Sequence, residues 1–406
     1  MSHDASARAH AFPLGAGVTL EQLDRDPHPV LAALRRHEPV SWLPALDGWI
    51  VTRRDLALQV MRDSATFTVD DPRFSTQQVV GPSMLSLEGD AHARHREPFA
   101  APFRLRAVRE RFTGLVAAET DRLLDAIADD GEAELRRSLA GPLAAAVATF
   151  AIGAEEAGVA EVLRWYDAIV GSVTQITAGH GPTDAGRSGY AALRTAIDRA
   201  LDRDPGASLV ASAAAGAGRL ERDRVASNAA VLLFGGIETT EGMIANALAR
   251  LLADPAALAA VRADESLLIN AIEESLRLEP AAAVVDRYTT RPVELGGARL
   301  DARELVVVSI AGANRDSSVF PDPDRFDVRR PNAKLHVAFA HGPHVCIGMH
   351  LARLEAHTAV RRTLERLPGL RLDPDGNPSA RGLVFRKPPE LRVRWDAGRL
   401  GVASSG

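Results

Sequence analysis

One cysteine, Cys346, stands alone in a chain of 406 residues. A single thiol cannot close an internal disulfide, and it cannot assemble an iron–sulfur cluster or a multi-cysteine zinc site. The chain must therefore hold together by packing, and its composition allows this: 46% of residues are hydrophobic and 25% are charged, as in ordinary globular proteins. Length alone would suggest two or three domains. No Pro/Ser/Gly-rich linker, charge block or fixed-period repeat divides the sequence, however. A net charge of −5 argues against nucleic acid as a main partner. The first residues lack the apolar core of a signal peptide. The longest mostly apolar stretch, 140–154, contains Pro142 and is too short to cross a bilayer; it reads as a buried core helix. No membrane anchor is expected, and the reading is a cytoplasmic protein.

Periodicity makes the chain mainly α with small β-sheets. Short strands are expected near 40–52, around Trp42 and Trp49, and at 305–310. A long helix spans 222–252 and stops at Asp254-Pro255; another, 266–278, stops before Glu279-Pro280. Cys346 lies in Phe339-Ala340-His341-Gly342-Pro343-His344-Val345-Cys346-Ile347-Gly348, and Ile347, Leu351, Leu354, Val360 and Leu364 then recur at helical spacing. The sulfur thus stands at a helix N-terminus, where the dipole favours an anion. Gly342 and Gly348 let backbone amides approach it, and Phe339 is placed to shield it from water. An unpaired cysteine is usually a small buried hydrophobe. A lone thiolate can also hold a haem iron from one side.

The middle of the long helix reads Phe234-Gly235-Gly236-Ile237-Glu238-Thr239-Thr240. Two successive glycines inside a helix cost roughly 1 kcal/mol each relative to alanine. Such a cost is met at a tight helix crossing or where a ligand must approach the backbone. Glu238 is an acid able to relay protons. The Thr239 hydroxyl can bond a carbonyl one turn back or hold a water.

The pattern F-x-x-G-x-x-x-C-x-G followed by Leu351-Ala352-Arg353-Leu354-Glu355 resembles the haem-ligand loop of a bacterial cytochrome P-450, with Ala340 where many relatives carry a second glycine. The Gly235–Thr239 segment resembles that family's oxygen-binding helix. Over about 26–395 the resemblance implies one triangular cytochrome P-450 domain, with haem b between the long central helix and the cysteine helix. It leaves 1–25 as a flexible N-terminal extension and 396–406 as a tail. It further implies that Cys346 ligates the iron, that Gly235 opens an oxygen groove and that Glu238 and Thr239 govern protonation. Glu274 and Arg277, three apart on one helix face, resemble the family's E-x-x-R pair, with Arg325 as the third member of a buried triad. His92 and Arg96, four apart, match an H-x-x-x-R pair. With Arg287 and His344 they are expected at the haem propionates, and Arg94 and His95 are alternatives on the same helix.

The implied activity is a monooxygenase acting on a small, hydrophobic molecule of secondary-metabolite type. The same scaffold could instead catalyse coupling or desaturation without oxygen insertion, and a non-catalytic haem carrier is a more distant alternative. With no flavin or iron–sulfur motif in the sequence, electrons are expected from a ferredoxin and its ferredoxin reductase. Arg104, Arg106, Arg109, Arg111, Arg353, Arg361 and Arg362 are candidates to receive an acidic carrier, or else ordinary solvated charge. The pocket is expected to draw on 77–87, 173–181, 234–235, 283–285 and 383–385, with Gln77, Gln78 and Gln175 as its polar contacts.

Overall fold

The long helix organises the molecule. In the computed structural model, which describes residues 3–177, 180–203, 208–215 and 220–397, it runs Arg222–Ala253. Val225, Ala229, Leu233, Ile237, Ile244 and Leu248 are all buried, and a helix apolar on most sides must be surrounded by others. It packs against Gly141–Ile152, Leu267–Leu278 and Met349–Arg366. Pro255 ends it by removing an N–H. The Asp254 carboxylate then accepts from the Ala256 and Ala257 amides at 3.1 and 3.0 Å, starting the next helix, Pro255–Ala263.

The apolar stretch around 140–154 forms the helix Gly141–Ile152, entered through a π-helical turn at Arg136–Ala140. Pro142 sits in its first turn, where a missing N–H costs nothing, and Gly153, at φ 80°, ends it. The largest hydrophobic core draws on residues from Val79 to Trp395, and two smaller clusters lie around the sheet and the N-terminal elements.

A five-stranded sheet flanks these helices in the order Val40–Leu43, Gly48–Val51, Leu305–Ser309, Val284–Thr289, Phe67–Thr68. The first two strands form the hairpin expected around Trp42 and Trp49, which pair directly with ring centroids 5.5 Å apart. Gly48–Val51 runs parallel to Leu305–Ser309, which pairs antiparallel with Val284–Thr289. Val284–Thr289 was not anticipated as a strand; it positions Val285 and Arg287 for the site below.

The N-terminal segment departs from the flexible extension expected for 1–25. Helices His3–Ala11, Pro13–Ala16 and Leu20–Arg25 form there. The Arg8 guanidinium lies 4.8 Å from the Trp42 ring centre and pairs with Asp301 at 2.8 Å and with Glu304. Phe12 meets Trp49 edge-on at 5.1 Å. Two side chains thus fasten this segment to the sheet. At the other end Asp396 still donates its N–H to the Pro368 carbonyl (2.8 Å); residues 398–406 lie outside the described residues.

Candidate active site

The cysteine loop is fixed by its backbone. The Cys346 N–H donates to the Phe339 carbonyl at 2.8 Å. Gly342 has φ 76°, and a Cβ there would lie 2.3 Å from the Met61 carbonyl oxygen, so no larger residue fits. Ala340 also adopts positive φ, 58°, which strains an L-residue with a side chain. Gly348 caps the helix Met349–Arg366, and the amides of Gly348 and Met349 reach the sulfur. Burial raises the Cys346 pKa above its ordinary value, opposed by these amides, Arg96 and Arg353. The charge on Cys346 is therefore moderated by backbone donors, as the glycines suggested.

Phe339 lies on the cavity wall beside the loop, but its ring also supports Arg353, whose guanidinium carbon is 4.4 Å from the ring centre. Arg353 donates to Glu273 through two bonds of 2.6 and 2.8 Å, and His336 Nε2 approaches the same carboxylate at 3.1 Å. Burial works to raise the Glu273 pKa, but the Arg353 and His336 donors outweigh it and bring it down to about 2. Arg353, expected either to receive an acidic carrier or to be solvated charge, is instead occupied by this carboxylate. The neighbouring Glu273-Glu274 pair was the available signal that two acids leave this helix toward different partners.

Glu274 and Arg277 are fully buried and joined by bonds of 2.7 and 2.8 Å. The third arginine is Arg330, not Arg325. The Arg330 Nε–H donates to Glu274 at 2.8 Å, whereas Arg325 is exposed and contributes only its carbonyl, accepting from Arg277 and Arg330 at 3.2 and 3.1 Å. After the turn from Asp322 to Arg325 that side chain is exposed, and after the following turn from Asp327 to Arg330 the Arg330 side chain is buried while Arg329 stays exposed.

Across from the sulfur, a largely apolar cavity opens. Met84, Leu85, Val231, Leu232, Val285 and Ile310 line it, together with Cys346, Gly235 and Thr239. A Cβ on Gly235 would meet nothing within 4 Å, whereas one on Gly236 would sit 3.6 Å from Ala148. Both glycines line the cavity, and neither position shows a contact too close for a Cβ, so the crossing reading finds no support here. The Thr239 hydroxyl donates to the Gly235 carbonyl. Glu238 is turned to another flank: its Oε2 accepts from the Tyr166 hydroxyl at 2.9 Å, and Lys387 Nζ lies 2.7 Å from its Oε1. Of the expected polar contacts, Gln78 donates to the Pro72 carbonyl at 3.2 Å, Gln77 keeps a buried, unpartnered Oε1 and Gln175 is exposed. Within 173–181, residues 178 and 179 lie outside the described residues. Glu355, which the sequence reading left without a role, also borders the cavity; burial pushes its carboxyl pKa well up, and its Oε2 has no partner.

Of the four side chains expected at the haem carboxylates, Arg96 and His344 line the cavity. His92 and His344 have ring centroids 4.3 Å apart, and Nε2 of His92 is buried without a partner. Burial, then His344 and Arg96, lower the His92 pKa to about 4. Arg96 borders the cavity and donates to the Val345 carbonyl at 2.5 Å. His344 lies 3.1 Å from Glu88, and buried Arg287 donates to the Asp286 carbonyl at 2.7 Å. Neither alternative joins them. His95 is 3.1 Å from Asn228 on the central helix, and Arg94 is exposed.

An apolar slot with a sulfur on one wall, a glycine-opened groove on the other, and cationic and imidazole groups at and beside its edge suits a flat macrocycle bearing two carboxylates. The orphaned Nε2 of His92 is the observation that tests this, because a buried polar atom normally has a partner. The class defined by this fold and pocket is that of the haem enzymes.

Comparison with known proteins gives the family. The cytochrome P-450 family model matches residues 193–389. Cytochrome P-450 monooxygenase PikC of Streptomyces venezuelae is 36% identical, over 97% of each chain. Nocardicin C N-oxygenase of Nocardia uniformis subsp. tsuyamanensis is 34% identical, over 95% of this chain and 98% of that one. The crystal structure of CalO2 superposes with a TM-score of 0.84 at 29% identity, covering 94% and 99% of the two chains. This chain belongs to the cytochrome P-450 family, and it is a haem b monooxygenase that acts on small molecules with the help of redox partners. Among the described residues no single helix is long and apolar enough to cross a membrane.

Proposed function

We propose that this enzyme inserts one oxygen atom from O2 into a hydrophobic organic molecule of secondary-metabolite type, using electrons delivered by a ferredoxin and its reductase. The placement of Cys346 carries the reading: the one thiol in the chain stands at a helix N-terminus and faces Gly235 and Thr239 across an apolar cavity. Bound through Cys346, haem supplies oxygen activation and the redox chemistry. His92, Arg96, Arg287 and His344 hold its carboxylates. Gly235 leaves room for oxygen beside the helix, and Thr239 holds a proton donor there. Glu238 supplies protons to that hydroxyl. Glu274, Arg277 and Arg330 hold the helix behind the cysteine loop without touching the reactants.

The substrate class rests on the wall chemistry and on relatives named for oxygenating nocardicin C and 6-deoxyerythronolide B. An apolar wall with few directed polar groups selects by shape and hydrophobicity. Two measurements test the reading. Cys346→Ala should abolish the red-shifted Soret band of the ferrous–CO complex, and survival of that band would remove the ligand assignment. Turnover under labelled dioxygen should place one labelled atom in the product; an unlabelled product would mean coupling or desaturation instead.

A further inference from the structure

The chain contains two lysines, at 334 and 387, against a background of arginine. Lys387 lies half-buried beside the acid of the central helix. Its Nζ lies 2.7 Å from Oε1 of Glu238 and also binds Glu241, one turn further along the same helix. Side-chain exposure is 12% for Lys387, 22% for Glu238 and 10% for Glu241, so this is not a solvated surface pair. Arg136, from the π-helical turn, holds Glu241 from the other side. Tyr166, on the helix Val159–Thr177, donates its hydroxyl to the remaining oxygen of Glu238. Asp167 lies next to it, its pKa raised by burial and by the Glu238 charge.

These groups balance: Glu238 and Glu241 against Lys387 and Arg136. Burial and then Glu238 keep the Tyr166 hydroxyl protonated, raising its pKa, so it acts only as a donor. Both oxygens of Glu238 are thus occupied on a flank away from the cavity that Thr239 lines. A compact ammonium with three donors can bridge two carboxylates one turn apart, which a planar guanidinium does less readily.

Resting on the acid–alcohol reading above, we propose that Lys387 is a positioning residue for proton delivery. It holds Glu238 turned away from Thr239, and the carboxylate reaches the oxygen groove only when this contact loosens. Removing the lysine frees one oxygen of Glu238 and leaves two acids facing one arginine, so the carboxylate should leave this flank more readily.

The test uses the intact holoenzyme as wild type, Lys387→Met, Lys387→Arg and Glu238→Gln. Infrared difference spectroscopy identifies the Glu238 carboxyl band as the one lost in Glu238→Gln. In Lys387→Met that band should move in frequency as the carboxyl group loses its ammonium partner, and coupling (product formed per electron pair consumed) and its pH profile should change with it. Lys387→Arg should restore most of both. An unmoved band in Lys387→Met overturns the proposal, as does a moved band with an unmoved coupling profile. If Glu238→Gln itself leaves coupling and its pH profile unchanged, the acid–alcohol reading fails instead. A lysine that merely stapled the chain would lower the melting temperature of Lys387→Met without moving the band, which also counts against the proposal.

Discussion

The two walls of the cavity are built by opposite means. Behind the sulfur, one short helix sends Glu273 to Arg353 and His336, and Glu274 to Arg277 and Arg330. On the oxygen side, the central helix presents Gly235, Thr239 and aliphatic side chains, and its charges are turned away to Lys387 and Arg136. Buried ion pairs are strongly position-specific because removing one partner strands the other, whereas an apolar wall tolerates exchange of similar volumes. The cysteine wall is therefore built to hold one geometry. The oxygen wall is built to leave a space open.

If that contrast is right, the largest effect lies in the buried triad. Arg277→Ala should lose about 3–5 kcal/mol by breaking a fully buried pair and leaving Arg330 as the cationic partner of Glu274, and the protein should be recovered poor in haem. Normal soluble holoprotein with an unchanged melting temperature would mean that the cysteine wall does not depend on the pair.

Glu273 should come next, with a pH signature. Its folded pKa, about 2 against an ordinary 4.5, means that the carboxylate stabilises the fold above pH 4.5. This stability is lost as pH falls from 4.5 toward 2. Glu273→Gln should therefore cost on the order of 2 kcal/mol at pH 7 and flatten the loss of stability in that acid window. Denaturant melts at a series of pH values read both effects; a mutant whose acid limb matches wild type would place the stabilisation elsewhere.

Ala340 gives a smaller effect of the opposite sign. It holds φ 58° in the loop that carries the sulfur, a conformation costing an L-residue with a side chain roughly 1–2 kcal/mol. Glycine relieves that strain but has more freedom to lose on folding. Ala340→Gly should thus gain about 0.5–1 kcal/mol while leaving the haem spectrum unchanged, and a destabilised variant would show that the methyl packs usefully.

The same contrast explains what could be read in advance. Features written locally were legible: the proline stop at 255, the glycine-flanked cysteine, and Glu274 and Arg277 three apart. The reading failed where a partner is chosen by the folded chain. Arg325 and Arg330 lie five apart in one loop, and only the fold decides which is buried. Arg353 looked like any surface arginine until the fold brought Glu273, 80 residues earlier, beneath it. Glu238 meets Lys387 across 149 positions of sequence, with no periodicity to announce it. Likewise, Val284–Thr289 is six residues of mixed polarity, a strand because Leu305–Ser309 pairs with it. Arg8 and Phe12 lie in a segment whose helices are short, and tertiary contacts with two tryptophans hold it.

Thr239→Ala is the sharpest probe of the oxygen wall, because stability and chemistry should separate there. The hydroxyl bonds only to a carbonyl of its own helix, which already serves the helical ladder, so its loss should shift stability by less than about 1 kcal/mol. Haem content and the ferrous–CO spectrum should match wild type. In the proposed function, the hydroxyl holds a proton donor beside the groove that Gly235 lines. Without it, electrons should drain to hydrogen peroxide, and product per reducing equivalent should fall severalfold while cofactor consumption continues. Simultaneous measurement of NAD(P)H oxidation, peroxide and product reads all three quantities on one sample. Unchanged coupling would deny Thr239 its role, and a large loss of stability would erase the distinction between the two walls.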